Sequence, residues 1–207
     1  MKIIKQSHEI LSITPNILQR IEAAGRTAYK SEDHITPDSA KAFVKRLIKT
    51  GHHAVLEFGH IEVKLITDRG NSHEIVRHRH FSFCQESSRY CNYSKDKFGN
   101  EITVINPVFF DNGSCKYRKW VTAMENAELA YVSLIDDGAT AQEARSVLPN
   151  SLKTEIVIIG NVREWRHFFK LRTSKTAHPQ LRALAKGLLI DLQDRVPVMF
   201  DDIGDKE

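Results

Sequence analysis

The sequence predicts an α+β protein, a mixed sheet flanked by helices. Several segments carry apolar residues at helical spacing, while a few short runs are β-branched or alternate in polarity. The two kinds do not follow one another with the beat of a doubly wound sheet. The glycine-rich loops that cradle phosphates in dinucleotide-binding and P-loop folds are also missing from the sequence.

Taken in order, the first predicted helix runs from Thr14 to about Ser31. Thr14 can cap it, Pro15 suits its first position, and Ile17, Leu18, Ile21 and Ala24 share a face. Thr36 and Pro37 repeat the device, with Phe43, Val44, Leu47 and Ile48 inward and Gly51 as the stop. Ile61, Val63 and Leu65 alternate with polar neighbours as a half-buried strand. Asp68 to Asn71 reads as a turn, and a short helix from about Ser72 then delivers Arg77 to Arg79 at its C-terminal end. Glu101 to Pro107 holds a strand and Asp111 to Ser114 a turn. A long helix from Cys115 to Asp137 carries Trp120, Val121, Met124, Tyr131, Leu134 and Ile135 on one side and ends at Gly138. A shorter helix from Thr140 stops at Pro149. Thr154 to Gly160 is a β-branched, buried strand. Asn161, with Glu164 three residues on, opens the next helix in the manner of a capping box. The last helix carries Leu181, Leu184, Leu188, Leu189 and Leu192.

A chain of 207 residues fits one domain that buries a core without staples. A single catalytic domain over residues 1–207 is expected, with a loose tail from Asp201. The formal net charge of +4 is spread along the chain, which disfavours bulk nucleic-acid binding and leaves room for a local anion pocket. Cys84, Cys91 and Cys115 are odd in number and form no CxxC pair, so they read as reduced thiols in a cytoplasmic protein without a signal peptide. No apolar run reaches the length of a membrane span.

The stretch from Arg77 to Tyr90, RHRHFSFCQESSRY, concentrates the chemistry. It has too much charge for a core strand and too many large side chains for a flexible linker. An isolated RHR is ordinarily a solvated face. Here it lies between Ile75-Val76 and Phe81, Phe83, and a guanidinium drawn into such surroundings needs an anionic partner. Arginine suits planar, bidentate recognition of phosphate, and Gln85 to Ser88 add amide, carboxylate and hydroxyl groups. Arg145, Arg163 and Arg172 sit in apolar or helical settings elsewhere and enlarge the anion-pocket reading. The histidines His52, His53, His60, His78 and His80 match no zinc spacing, and arginines beside His78 repel a cation. Cys84 and Cys91 flank positive charge, yet small buried hydrophobes are the commoner use of such residues.

These residues resemble the signature of the flavin-dependent thymidylate synthases: Arg77-His78-Arg79, then Ser87, Ser88, Arg89 and Tyr90. Further segments follow in the family's order. His52 with Glu57 resembles its Gly-His segment, Ala144-Arg145 with Leu148-Pro149 its Ala-Arg-x-x-Leu-Pro segment, and Asn161-Val162-Arg163 with Arg172 its Asn-x-Arg segment. His178 and Gln180 resemble its His and Gln near the last helix. Three positions depart from the pattern: Phe58 where a His is common, Ala54 where a hydroxyl is common, and Cys84-Gln85 in place of Asn-Glu.

The resemblance implies reductive methylation of dUMP to dTMP, with methylenetetrahydrofolate as carbon donor and NADPH-reduced FAD as hydride donor. FAD would meet His52, Ala54, Arg77, His78, Arg79, Gln85, Asn161, Val162, Arg163 and His167. dUMP would meet Glu74, Arg77, Gln85, Glu86, Ser87, Ser88 and Arg89, with Arg145 arriving from a neighbouring subunit of a homotetramer. Arg172 would sit on the uracil ring and favour its ionised form. No metal, nucleic acid or membrane enters this picture. Two other readings use the same residues: a non-catalytic nucleic-acid-binding protein with the arginines on phosphates, and a metal-dependent hydrolase built on the histidines.

Overall fold

The computed structural model describes residues 1–94 and 99–204. The element order is β1 (Lys2–Ile4), β2 (Ser7–Ile13), α1 (Ile17–Thr27), α2 (Ser39–Lys49), β3 (His60–Asp68), α3 (Arg69–Ile75), β4 (Ser82–Gln85), β5 (Thr103–Ile105), α4 (Cys115–Asp136), α5 (Ala141–Ala144), β6 (Lys153–Asn161), α6 (Val162–Arg172) and α7 (Pro179–Arg195). Among the described residues β1 pairs with β5 in parallel, and a four-stranded sheet has the order β2-β3-β6-β4. This is the expected α+β class.

Helix stops agree with the sequence: Gly51 and Gly138 follow α2 and α4 at φ 76° and 91°, where a side chain is strained. Helix starts differ. Thr14 does not cap α1; its hydroxyl donates to His60 O and accepts from His60 N, tying it to the start of β3. Asn16, in the left-handed region at φ 52°, precedes α1 instead. Thr36 likewise gives way to Asp38, because its N–H and carbonyl are engaged by the Ser39 hydroxyl. The turn expected at Asp68–Asn71 is the first turn of α3, with the Asp68 carboxylate capping Asn71 N at 2.6 Å. Strands β1, β2 and β4 were not foreseen. In β4 only Phe83 and Gln85 are half-buried, and an edge strand with one wet face shows no apolar run.

The chain forms two compact units. The first comprises Met1–Ser7, Leu65–Arg77 and Cys84–Val157. Its core gathers Ile102, Val104, Tyr131, Ala144 and Leu152, all fully buried, with Tyr93 and Met124. Helix α4 supplies Met124 and Tyr131, while Trp120 donates its indole N–H to Ser151 Oγ at 3.1 Å.

The second unit comprises His8–Lys64, His78–Phe83 and the chain from Ile158 onward. Its core is aromatic. Trp165, Phe168 and Phe169 of α6 are buried with Phe81 and Phe200, the Phe81 and Trp165 rings lying 4.5 Å apart. The Trp165 indole donates to Ile61 O at 3.0 Å. Buried Glu22 accepts from Arg26 and Ser39, so this internal carboxylate is satisfied. The tail expected to be loose is anchored through Gly204: Ile203 is buried, and Arg166 makes a bidentate pair with Asp202. Residues 205–207 lie outside the described residues.

Gly160 of β6 is required by a close approach. A Cβ there would meet Phe81 Cδ1 at 2.1 Å. Gly160→Ala should therefore cost about 1–3 kcal/mol in urea denaturation, the usual penalty of overpacking. Gly187→Ala, inside α7 with its nearest neighbour at 3.6 Å, should be neutral or mildly stabilising in the same assay.

Candidate active site

Helix α6 organises the polar side of the second unit. Its first turn is capped by Asn161, whose side chain accepts from Glu164 N at 2.9 Å. That places Glu164 at the helix N-terminus, where the dipole favours a carboxylate. Glu164 Oε1 lies 3.2 Å from His78 Nδ1, and Arg172 Nε donates to His78 Nε2 at 3.1 Å. A guanidinium only donates, so Nε2 is an acceptor and the proton of the neutral ring sits on Nδ1, donating to Glu164. Burial, then the charge of Arg172, then His167 pull the His78 pKa down to about 4, against the attraction of the carboxylate. Both nitrogens of the His78 ring are therefore engaged within the protein. The Val162 side chain is fully buried and its N–H donates to Gly59 O.

A cavity of about 500 Å³ in this unit is lined by Glu57, His80, Asn161, Arg163, Glu164 and His167. Arg163 Nη1 pairs with Glu57 Oε1 at 2.6 Å. Asn161, Arg163 and His167, read from the sequence, meet here; His80 and Glu164 were not foreseen as lining residues. His52, Ala54 and Arg79 are exposed and do not line this cavity. His78, Glu164 and His167 stand close enough to share a cation. The Arg172 guanidinium on His78 Nε2 opposes one, and the five histidines weighed from sequence contribute only His78 to the trio.

In the first unit the signature stretch is held by its own network. Gln85 donates to Ser72 Oγ at 3.0 Å and Thr154 Oγ1 at 3.1 Å. The Glu86 carboxylate accepts from Lys153 Nζ at 3.1 Å, Tyr93 OH at 3.3 Å and Glu155 N at 3.2 Å. Burial and the neighbouring Glu86 push the Tyr93 hydroxyl pKa up, so it stays a donor. The Glu86 carboxylate thus braces the backbone ahead of Ser87.

A second cavity, of about 430 Å³, includes Arg69, His73, Ser88, Gln142, Arg145 and Asn150 in its lining. Ser88 and Arg145 were expected at a nucleotide, and here one chain supplies both. Arg89 donates to Gln142 Oε1 at 3.4 Å beside this cavity. Arg69 and His73 were missed; their position four residues apart at the start of α3 was the available signal. Arg77 is exposed, Glu74 half-buried, and neither lines this cavity. The Ser87 hydroxyl accepts from Arg89 N at 3.4 Å.

Holding His78 neutral has a pH consequence. The unfolded ring takes up a proton near pH 6.5, the folded ring only near pH 4. Stability from this site is therefore complete above pH 6.5 and is lost as pH falls toward 4, by about 1.4 kcal/mol per pH unit for one proton. Urea denaturation between pH 4 and 7 should show this slope in the parent protein and a shallower one in His78→Gln.

Comparison with known proteins gives the family and the fold. The family model described as thymidylate synthase complementing protein matches residues 9–198. A flavin-dependent thymidylate synthase of Corynebacterium aurimucosum is 35% identical over 202 residues, covering 88% of this chain and 78% of that protein. One from Geobacter sulfurreducens is 32% identical over 202 residues, covering 94% and 85%. The crystal structure of a UMP/dUMP methylase, PolB from Streptomyces cacaoi bound with 5-Br dUMP, shares the fold at a TM-score of 0.80 and 22% identity, covering 99% of this chain and 98% of that one. With the family model spanning nearly the whole chain and both cavities, the chain belongs to the flavin-dependent thymidylate synthase family.

Proposed function

We propose that the protein converts dUMP to dTMP, with FAD as hydride carrier, NADPH as reductant and methylenetetrahydrofolate as carbon donor. The observation that carries this reading is a pair of polar cavities in a chain of this family: one has Arg69 and Arg145 in its lining, the other Asn161, His80, His167 and the Arg163–Glu57 pair. The two guanidinium groups of the first cavity offset the charge of an anionic nucleotide. The donor set of the second unit fits a flavin cofactor, with a guanidinium, an amide and two imidazoles suited to phosphate and ring carbonyls. The flavin, once reduced, supplies the hydride.

The protein's own groups bind and polarise. Ser88, Arg69 and Arg145 take the nucleotide phosphate, with Arg89 and the backbone around Ser87 fixing its register. Arg163, Asn161 and His167 hold the flavin. Arg172 lies on the uracil ring and stabilises the negative charge that develops there, an electrostatic contribution that a preorganised donor makes at little reorganisation cost. We read the protein as a cytoplasmic homotetramer with shared sites; Leu129 of α4 and Ile190 of α7, both about two-thirds exposed, are surfaces an assembly would cover. No described helix is long and apolar enough to cross a membrane.

The test is tritium release from C5-labelled dUMP with FAD, NADPH and methylenetetrahydrofolate, with dTMP identified by chromatography. UMP is run in parallel, because the structural neighbour is described as a methylase of both UMP and dUMP. Absent flavin absorbance and salt-steep DNA or RNA binding would favour the nucleic-acid reading instead.

Arg172→Ala should lower turnover at least 100-fold while flavin content, read from absorbance, stays near the parent value. Cys84 and Cys115 are exposed and Cys91 is half-buried. Changing all three to Ser should leave most of the tritium release, because the family resemblance matches none of them to a residue the chemistry requires. Circular dichroism would verify the fold, and a folded, flavin-loaded triple variant without turnover would implicate a thiol.

A further inference from the structure

Arg172 has a supporting chain that begins at Glu164. We infer that Glu164 is a positioning residue for the reaction: it holds His78 in the tautomer that accepts from Arg172 Nε and so fixes the guanidinium. The inference rests on the proposed role of Arg172 at the pyrimidine, although the relay itself stands on geometry alone.

Glu164 is 7% exposed and His78 4% exposed, so neither bond is exchanged easily with water. The Glu164 carboxylate is placed by the Asn161 cap on its own backbone N–H and by the rigid first turn of α6. The His78 ring is packed edge-on against Phe168, with centroids 5.1 Å apart, and lies near Phe81 and His167. The Phe81 and Phe168 rings offer its nitrogens no hydrogen-bond acceptor that would select a tautomer. An acceptor at Nδ1 decides which nitrogen faces Arg172. With Glu164 removed, the buried Nδ1–H has no partner, and the ring regains that bond only by leaving Arg172. Asn161, Glu164, His78 and Arg172 thus form a line from the cap of α6 to its last residue, spanning the helix on one side. The charged and titratable groups facing His78 are Glu164 and His167 of α6 and Arg172 at its end. A proton on Nε2 would expel the Arg172 donor, so the relay operates with the ring neutral.

The experiment uses the full-length protein, first without substrate. In long-range proton–nitrogen spectra His78 should show the Nδ1–H form from pH 8 down to about 5, and Arg172 Nε–H should exchange slowly with water. Glu164→Leu should lose both signals and lower kcat about 10-fold or more, with a smaller change in KM for dUMP. Glu164→Gln, whose amide oxygen can still accept from Nδ1, should restore the Arg172 signal and the larger part of the lost kcat. If the Leu variant fails to fold, Glu164→Asp retains the charge but withdraws the oxygen by one methylene, and should show the same loss of the Arg172 signal. Unchanged His78 and Arg172 spectra in a folded Leu or Asp variant would overturn the inference. So would an equal loss of kcat in the Gln and Leu variants. Should the parent protein turn over no dUMP while the spectra respond as described, the relay stands and the proposed reaction fails.

Discussion

Helix α6 is the constraint on which the rest of the second unit depends. Its turn of 3.6 residues sends Trp165, Phe168 and Phe169 into the core and leaves Arg163, His167 and Arg172 outside it. Fully burying three aromatic rings is worth several kcal/mol, at about 25 cal/mol per Å² of apolar surface. The helix therefore cannot slide or rotate to suit a ligand. Every polar group on it inherits a position set by packing, and the Asn161 cap sets where the first turn begins. The Trp165 indole bond to Ile61 O ties that same helix to β3.

A rigid element of this kind lets buried charges be carried at low cost. Arg166 is 3% exposed and is matched by Asp202 and the carbonyl of Met199; Glu164 is matched by His78. The same economy governs the first unit. Lys153 is half-buried, which would lower its pKa, yet the hydrogen bond it donates to Glu155 and the charge of Glu86 raise it instead. Glu86 and His78 each hold other groups in place, Glu86 the Glu155 backbone and Lys153, His78 the Arg172 guanidinium. Arg145, Arg163 and His167 face the cavities, Arg163 in its pair with Glu57.

The legibility of the elements follows the physics of each. Helices α4, α6 and α7 and strands β3 and β6 carry long, strongly periodic patterns, and each was readable within a few residues. Strand β1 has three residues, and β4 alternates only Phe83 and Gln85 against wet neighbours between two charged segments; neither leaves enough pattern to read. Helix starts were misplaced because Thr14 and Thr36 found tertiary or local partners that outbid the cap position. Capping by Asn161 was legible because its partner lies three residues along the same helix.

What the sequence determined by itself is the kind of chemistry. Arginines, an amide and hydroxyls close together in the chain point to anion capture, and the order of the segments carries the resemblance to a flavin-dependent family, since residue type and local spacing are written in the chain. Which of those residues touch a ligand and which support the ones that do was decided only by tertiary structure. His78 and Arg172 are 94 residues apart, and Glu86 and Lys153 are 67 apart. Hydrogen bonds over such separations depend on how helices and strands pack, and local spacing carries no record of that packing.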